Sequence, residues 1–155
     1  MSDEHDDPTN AVPTCRHLLI CHHVWKSQDL PNAGFSLGGL LVHAVPDIGF
    51  PLWVDRLFLY AQVYGPTGEY QFVVRLVRID DSGYGEEVET PLGDDGEHVE
   101  YVVPRAFEVS GLNFVDEFAL PMRRVVFEQP GVYEFQLFCH GSDDPIARER
   151  VQARA

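Results

Sequence analysis

The chain has 155 residues, 45% of them hydrophobic and 12% aromatic, which suits one domain able to bury about 70% of its unfolded surface and excludes a generally disordered chain. With 25 Asp and Glu against 11 Lys and Arg, the formal charge is −14, a surface that repels phosphate backbones and anionic lipid and so argues against nucleic acid or membrane as partner. The opening MSDEHDDPTN lacks the basic start and apolar run of a signal peptide, and no stretch reaches the ~18 apolar residues of a membrane span, so a cytoplasmic protein with three free thiols (Cys15, Cys21, Cys139) is expected.

Residues 1–13 are acidic, carry two prolines and show no periodicity; they read as a disordered arm whose other role would be a peptide that docks on a partner. The sandwich domain then covers residues 14–155. Cys15–Trp25 predicts an interior strand with Cys15, His17, Leu19, Cys21, His23 and Trp25 on one face. Phe35–Val45 predicts a second strand, with Gly38-Gly39 marking a bulge or a close backbone approach. Val54–Tyr64 and Tyr70–Ile79, joined by Gly65-Pro66-Thr67-Gly68, predict a hairpin in which Leu57, Leu59, Ala61 and Val63 form the apolar face of the first strand. Short strands are expected at Glu86–Thr90 and His98–Val103, while Pro104–Pro121 has apolar residues without a sustained period and leaves a short helix and a crossover both open.

Val125–His140 (VVFEQPGVYEFQLFCH) carries the clearest alternation and predicts another hairpin, turning at Gln129-Pro130-Gly131. Ile146–Ala153 predicts an edge strand bearing Arg148 and Arg150. Eight or nine strands with no long helical period give an all-β, antiparallel β-sandwich that is immunoglobulin-like in architecture, without the Cys, Trp, Cys core of antibody domains. The strand ending near Phe50-Pro51, the GPTGEY turn at Gly65–Tyr70, the closing PGVYEFQL of Pro130–Leu137 and the Arg-rich last strand resemble a family of small bacterial β-sandwich proteins of unassigned function. That resemblance spans about residues 15–154 and implies the sandwich fold, with no catalytic residues to carry over.

Four chemistries were weighed against these residues. A zinc-type site would use Cys21, His23, Cys139 and His140, if the first and penultimate strands are neighbours; the alternative is core thiols and solvent-facing imidazoles. Calcium would need the turns at Asp47, Asp80-Asp81 and Asp143-Asp144 to share one end of the sandwich, against a plain solvated acidic rim. Nucleophilic catalysis finds no GxSxG, and adjacent Cys139 and His140 point to opposite faces of a strand, so no catalytic or cofactor-binding residue is assigned. An interaction surface would draw on Trp25, Phe35, Trp53, Tyr84, Phe107, Phe114 and Phe118, which could equally close the ends of the core. The sequence thus points to a non-enzymatic interaction or accessory module with a protein partner or a second copy of itself in a homodimer, without cofactor. A small metal-binding or hydrolytic protein is the alternative.

Overall fold

Leu57, Leu59, Ala61 and Val63 are fully buried, while Phe58, Tyr60 and Gln62 between them are only partly covered, so the period of two in the sequence becomes an inside and an outside. A computed structural model describes residues 12–26, 35–66, 70–83, 85–87, 100–103 and 113–154. Its ten strands are β1 (Thr14–Lys26), β2 (Phe35–Leu40), β3 (His43–Ala44), β4 (Leu52–Pro66), β5 (Tyr70–Ile79), β6 (Gly85–Glu87), β7 (Glu100–Val103), β8 (Asn113–Phe127), β9 (Gly131–Cys139) and β10 (Ala147–Ala153). One sheet runs β2-β1-β4-β8; the other runs β3-β10-β9-β5-β6, with β7 also paired to β5. Every pairing is antiparallel except the short one between β3 and β10. The protein is an all-β sandwich.

The core fills the space between the two inner faces. Leu18, Ile20, Phe118, Leu120 and Met122 join the β4 residues on one side, and Phe72, Val74, Leu76, Phe135, Leu137 and Val151 face them from the other. The Phe72 and Phe118 rings meet across the gap at 5.3 Å. On the outer side of the second sheet, Glu134 is only 3% exposed. It is satisfied by Gln136 Nε2 at 2.8 Å and Arg150 Nε at 3.0 Å, with Arg148 Nε at 3.5 Å, as a buried carboxylate requires.

Both expected hairpins are corrected. β8 and β9 lie in different sheets, as do β4 and β5, so each connection arches across the core. Alternation fixes which face of each strand is apolar and not which strand is the neighbour. At the β8–β9 arch, Phe127 and Tyr133 point inward from opposite sheets with rings 4.9 Å apart, edge to face. The Tyr133 hydroxyl donates to the Gln129 carbonyl at 2.8 Å and accepts from the Gln129 N–H at 3.3 Å, a tyrosine corner of the kind that ties Greek-key crossings.

Phe35–Val45 is two strands and not one, which raises the count to ten among the described residues. Gly39 has φ 65°, and beyond it the chain changes sheets: the Leu41 N–H bonds Ile20 at 2.8 Å, and the Val42 carbonyl accepts from Gln152 at 3.0 Å. The expected bulge or close approach at Gly38-Gly39 is also present, since a Cβ on Gly38 would sit 3.0 Å from the Trp25 ring. β8 occupies part of the stretch that could not be read. Pro121 and the acidic pair Asp116-Glu117 obscure it in the sequence, and Pro121 is tolerated because β8 is an edge strand. The expected short strands survive as Gly85–Glu87 and Glu100–Val103. The arm at residues 1–11, and residues 88–99 and 104–112, lie outside the described residues. Val12 is exposed and Pro13 buried. β10 sits beside β9, and β3 covers only its Gln152 and Ala153.

Two predictions follow from this packing. Tyr133→Phe should cost about 1–2 kcal/mol, as the two hydrogen bonds to the Gln129 backbone are lost; urea unfolding checks it, and an unchanged midpoint would mean that the corner carries no load. Glu149 lies opposite Phe135 in register, and burial raises its carboxyl above the usual 4.5. A raised folded value contributes stability that is complete below the unfolded pKa and lost as pH rises through the folded one. Glu149→Gln should therefore raise Tm at pH 7 and leave it unchanged near pH 4; equal effects at both would contradict the assignment.

Candidate functional site

β1 stays beside β4 from Thr14, opposite Tyr64, to Cys21, opposite Phe58. Beyond Cys21 its only partner among the described residues is β2, from Cys21/Leu40 to Lys26/Phe35. At the same level β4 and β8 both reverse their alternation. In β4, Leu57 faces the core, Asp55 and Arg56 are both exposed, and Val54 and Leu52 pack on the core again. In β8, Met122 is buried, Arg123 and Arg124 are both exposed, and Val125 and Phe127 are buried. Arg124 takes up the change with φ 54°, a conformation uncommon outside glycine.

The part of β1 that leaves β4, together with β2, swings over the outer face of the first sheet. Phe35, at the start of β2, has its ring 6.0 Å from Tyr60 of β4. Its N–H donates to Glu117 Oε1 of β8 at 3.1 Å, and the Tyr60 hydroxyl donates to Glu117 Oε2 at 2.5 Å. Tyr60 and Glu117 both point away from the core, so one carboxylate anchors the β1–β2 hairpin on the sheet's outside. Bonds to a charged acceptor contribute about 1.5–3 kcal/mol each. Burial, then the hydrogen bond to Glu117 and its charge, push the Tyr60 phenol up to about 12.

Between the hairpin and the first part of β4 lies a solvent-open cleft of about 820 Å³, lined by His22, His23, Val24, Trp25, Val54, Asp55, Arg56 and Phe58. Two strand edges border it: His22–Lys26 of β1, paired only to β2, and Leu52–Leu57 of β4, paired only to β8, among the described residues. Trp25 is 53% exposed and Trp53 56% exposed. Arg56 stacks over Phe58 at 5.0 Å. Exposed backbone edges with large aromatics beside them suit recognition of an extended chain.

The zinc-type set does not come together. Cys21 and His23 belong to β1 in the first sheet, while Cys139 ends β9 in the second and His140 follows it, so the condition that these strands be neighbours is not met. The expected shared face of β1 is also broken: the register shifts between Cys15 and His17, and Cys15 packs on the core while His17 is exposed. Among the described residues no group of three or more His, Cys, Asp or Glu could hold a metal. Burial raises the thiols of Cys15, Cys21 and Cys139, which disfavours the thiolate that a metal or a nucleophilic step requires. The three acidic turns do not share an end. Ile79, before Asp80, pairs with Val132 at the start of β9, whereas Asp143 follows its far end at Cys139. Asp80 instead accepts from the Ser82 N–H at 2.9 Å and hydroxyl at 2.6 Å.

Of the aromatics expected at a surface, Trp25 and Trp53 are exposed, Phe35 is half-buried and Phe118 belongs to the core. Tyr84, Phe107 and the Phe114 side chain lie outside the described residues. Sequence reasoning missed Tyr60, Glu117 and the arginines at the reversal. The signal was present in VDRL and MRRV, where two successive charged residues interrupt a period of two. No helix among the described residues is long and apolar enough to cross a membrane. No family model matches the chain, and no curated protein or solved structure matches it.

Because the folded value of about 12 exceeds the free phenol's 10, Tyr60 contributes stability that is complete below pH 10 and lost as pH rises through 12. In Glu117→Gln the phenol should titrate below 12 yet still above 10, burial being the larger cause, and alkaline unfolding should begin earlier. Ultraviolet titration, with Tyr60→Phe subtracted, checks this; an unmoved phenol would mean that Glu117 does not engage it.

Proposed function

We propose that this protein is a non-enzymatic interaction module whose working surface is the cleft at the β1/β4 fork, where an extended segment of a partner protein adds as a strand. The observation that carries the reading is the pair of strand edges, His22–Lys26 and Leu52–Leu57, each paired to one strand only among the described residues and bordering one cleft that the exposed Trp25 lines. Alternate N–H and C=O groups along each edge offer a ladder to an incoming chain, and the Trp25 indole supplies a rigid anchor at small entropic cost. The raised thiols speak against a cysteine thiolate as nucleophile. We also read the sandwich as immunoglobulin-like in architecture, on the Tyr133 corner, and place the protein in the cytoplasm on its three free cysteines.

A second reading, homodimerisation, draws on the exposed apolar side chains Leu40, Val42, Val45 and Ile48 along the passage from one sheet to the other. Sedimentation separates the two: a monomer at all accessible concentrations removes the dimer and leaves the cleft reading untouched.

The cleft reading is tested by panning a random peptide display library on the purified protein. Extended sequences should be recovered that bind with micromolar affinity or thereabouts, shift tryptophan emission and lose about tenfold or more in Trp25→Ala. Recovered peptides that bind equally well to Trp25→Ala and leave the emission unchanged would contradict it.

A further inference from the structure

The outer face of β10 has the opposite charge to most of the chain. Arg148, Arg150, Gln152 and, just past the strand, Arg154 share one parity, and all four are exposed. Arg148 stands opposite Gln136 of β9, which stands opposite the exposed Arg75 of β5. Four of the chain's 11 Lys and Arg thus gather on one face of a molecule of net charge −14. The acids nearest in sequence, Asp143, Asp144 and Glu149, sit in the turn before β10 and on its other parity. Beyond β5 the register brings Glu87 opposite Val77 and Glu100 opposite Val73, so the positive ground runs along β10 and not across the sheet.

These arginines have partners, and charge is left over. Buried Glu134 accepts from Arg150 Nε at 3.0 Å and lies 3.5 Å from Arg148 Nε, while Gln136 Nε2 holds its other side at 2.8 Å. Arg75 lies over the Phe138 ring at 4.8 Å, and Arg154 bonds the neutral Gln152. One carboxylate against four guanidiniums leaves the face net positive. Contacts through Nε fix the two β10 side chains, 57% and 62% exposed, and leave their Nη donors for a further carboxylate.

The same strand has an open side. β3 covers β10 only at Gln152 and Ala153, so residues 147–151 have β9 as their one paired neighbour among the described residues. The Gln152 and Arg154 N–H groups donate to Val42 and Ala44, away from β9. Pairing with β9 is continuous from Ala147 to Ala153, so the period of two turns the main-chain groups of Arg148 and Arg150 to that same open side. An added strand would find its ladder at the two residues that carry the charge, and its own alternate side chains would repeat their spacing of about 7 Å. A second β10 laid there would bring arginine to arginine, which disfavours a second copy. A nucleic acid is repelled by the rest of the surface and makes no use of a peptide ladder.

We propose that the open side of β10, residues 147–151, takes up an extended segment of a protein partner with Asp or Glu at alternate positions, facing Arg148 and Arg150. The surface belongs to the other sheet from the fork and stands independently of the cleft reading.

The probe is a dye-labelled heptapeptide alternating Thr and Glu, with the Thr and Lys heptapeptide as control. Polarisation should show saturable binding of the first below about 1 mM and none of the second, weakened several-fold by concentrated salt. Arg148→Gln with Arg150→Gln would strand the buried Glu134, so the test variant also carries Glu134→Gln; it should bind about fivefold or more weakly. Arg75→Gln with Arg154→Gln leaves Glu134 its partners and should give a smaller loss, which keeps the test if the first variant misfolds. In amide exchange the acidic peptide should slow Arg148 and Arg150, while Ala147, Glu149 and Val151, already turned to β9, keep their rates. Absent binding, equal binding of the two peptides, undiminished binding in both variants or unchanged exchange at Arg148 and Arg150 overturns the proposal. So does displacement by inorganic phosphate at constant ionic strength, which would assign a phosphate site, or protection that grows with protein concentration alone, which would assign a second copy. Loss of binding in Trp25→Ala would place the peptide in the fork cleft and overturn it as well.

Discussion

β1 leaves β4 after Cys21, at the level where β4 changes phase. β4 exposes Asp55 and Arg56 in succession and returns to the core on the opposite parity, and β8 matches it residue for residue with Arg123 and Arg124. A strand held in register with β4 would have to reverse its faces in company. Instead β1 takes its remaining backbone bonds from β2, and the hairpin so formed needs a place to rest. Glu117 supplies it, accepting from Phe35 and Tyr60 on the outside of the sheet. Departure, latch and cleft are therefore one structural event seen from three sides.

Much of the fold was legible and its connectivity was not. Leu57, Leu59, Ala61 and Val63, or Phe135 and Leu137, declare an inner face wherever the strand is placed, because alternation is a property of one strand with its two surroundings. Whether Phe127 and Tyr133 flank a hairpin or face each other across a core depends on which strands lie to either side, and the intervening Glu-Gln-Pro-Gly serves both. β9 finds β10 across a short local turn, but it finds β5 from 52 residues away in the sequence, a pairing that no local pattern encodes. The long strand Asn113–Phe127 was hidden for a different reason: Pro121 is a strand breaker in general and harmless only on an edge whose free side it faces.

The chemistry-bearing residues follow the same division. Cys21, His23, Cys139 and His140 looked like a set because spacing in sequence resembles spacing in space within one strand, and they separate because β1 and β9 belong to opposite sheets. Arg56, Arg123 and Arg124, by contrast, come together from positions 67 residues apart without any motif; only the doubled charge within each strand marks them. What the sandwich presents to other molecules is then a property of an irregularity in one sheet, in keeping with the general placement of recognition at edges, bulges and strand ends.

Backbone amide exchange across the fork tests this account most directly. The alternate amides of His22–Lys26 and Leu52–Leu57 that point away from β2 and β8 should exchange orders of magnitude faster than those of Leu59–Val63, which are paired on both sides. Protection in both edges equal to that of Leu59–Val63 would mean that β1 and β4 run together to their ends, and there would be neither fork nor cleft.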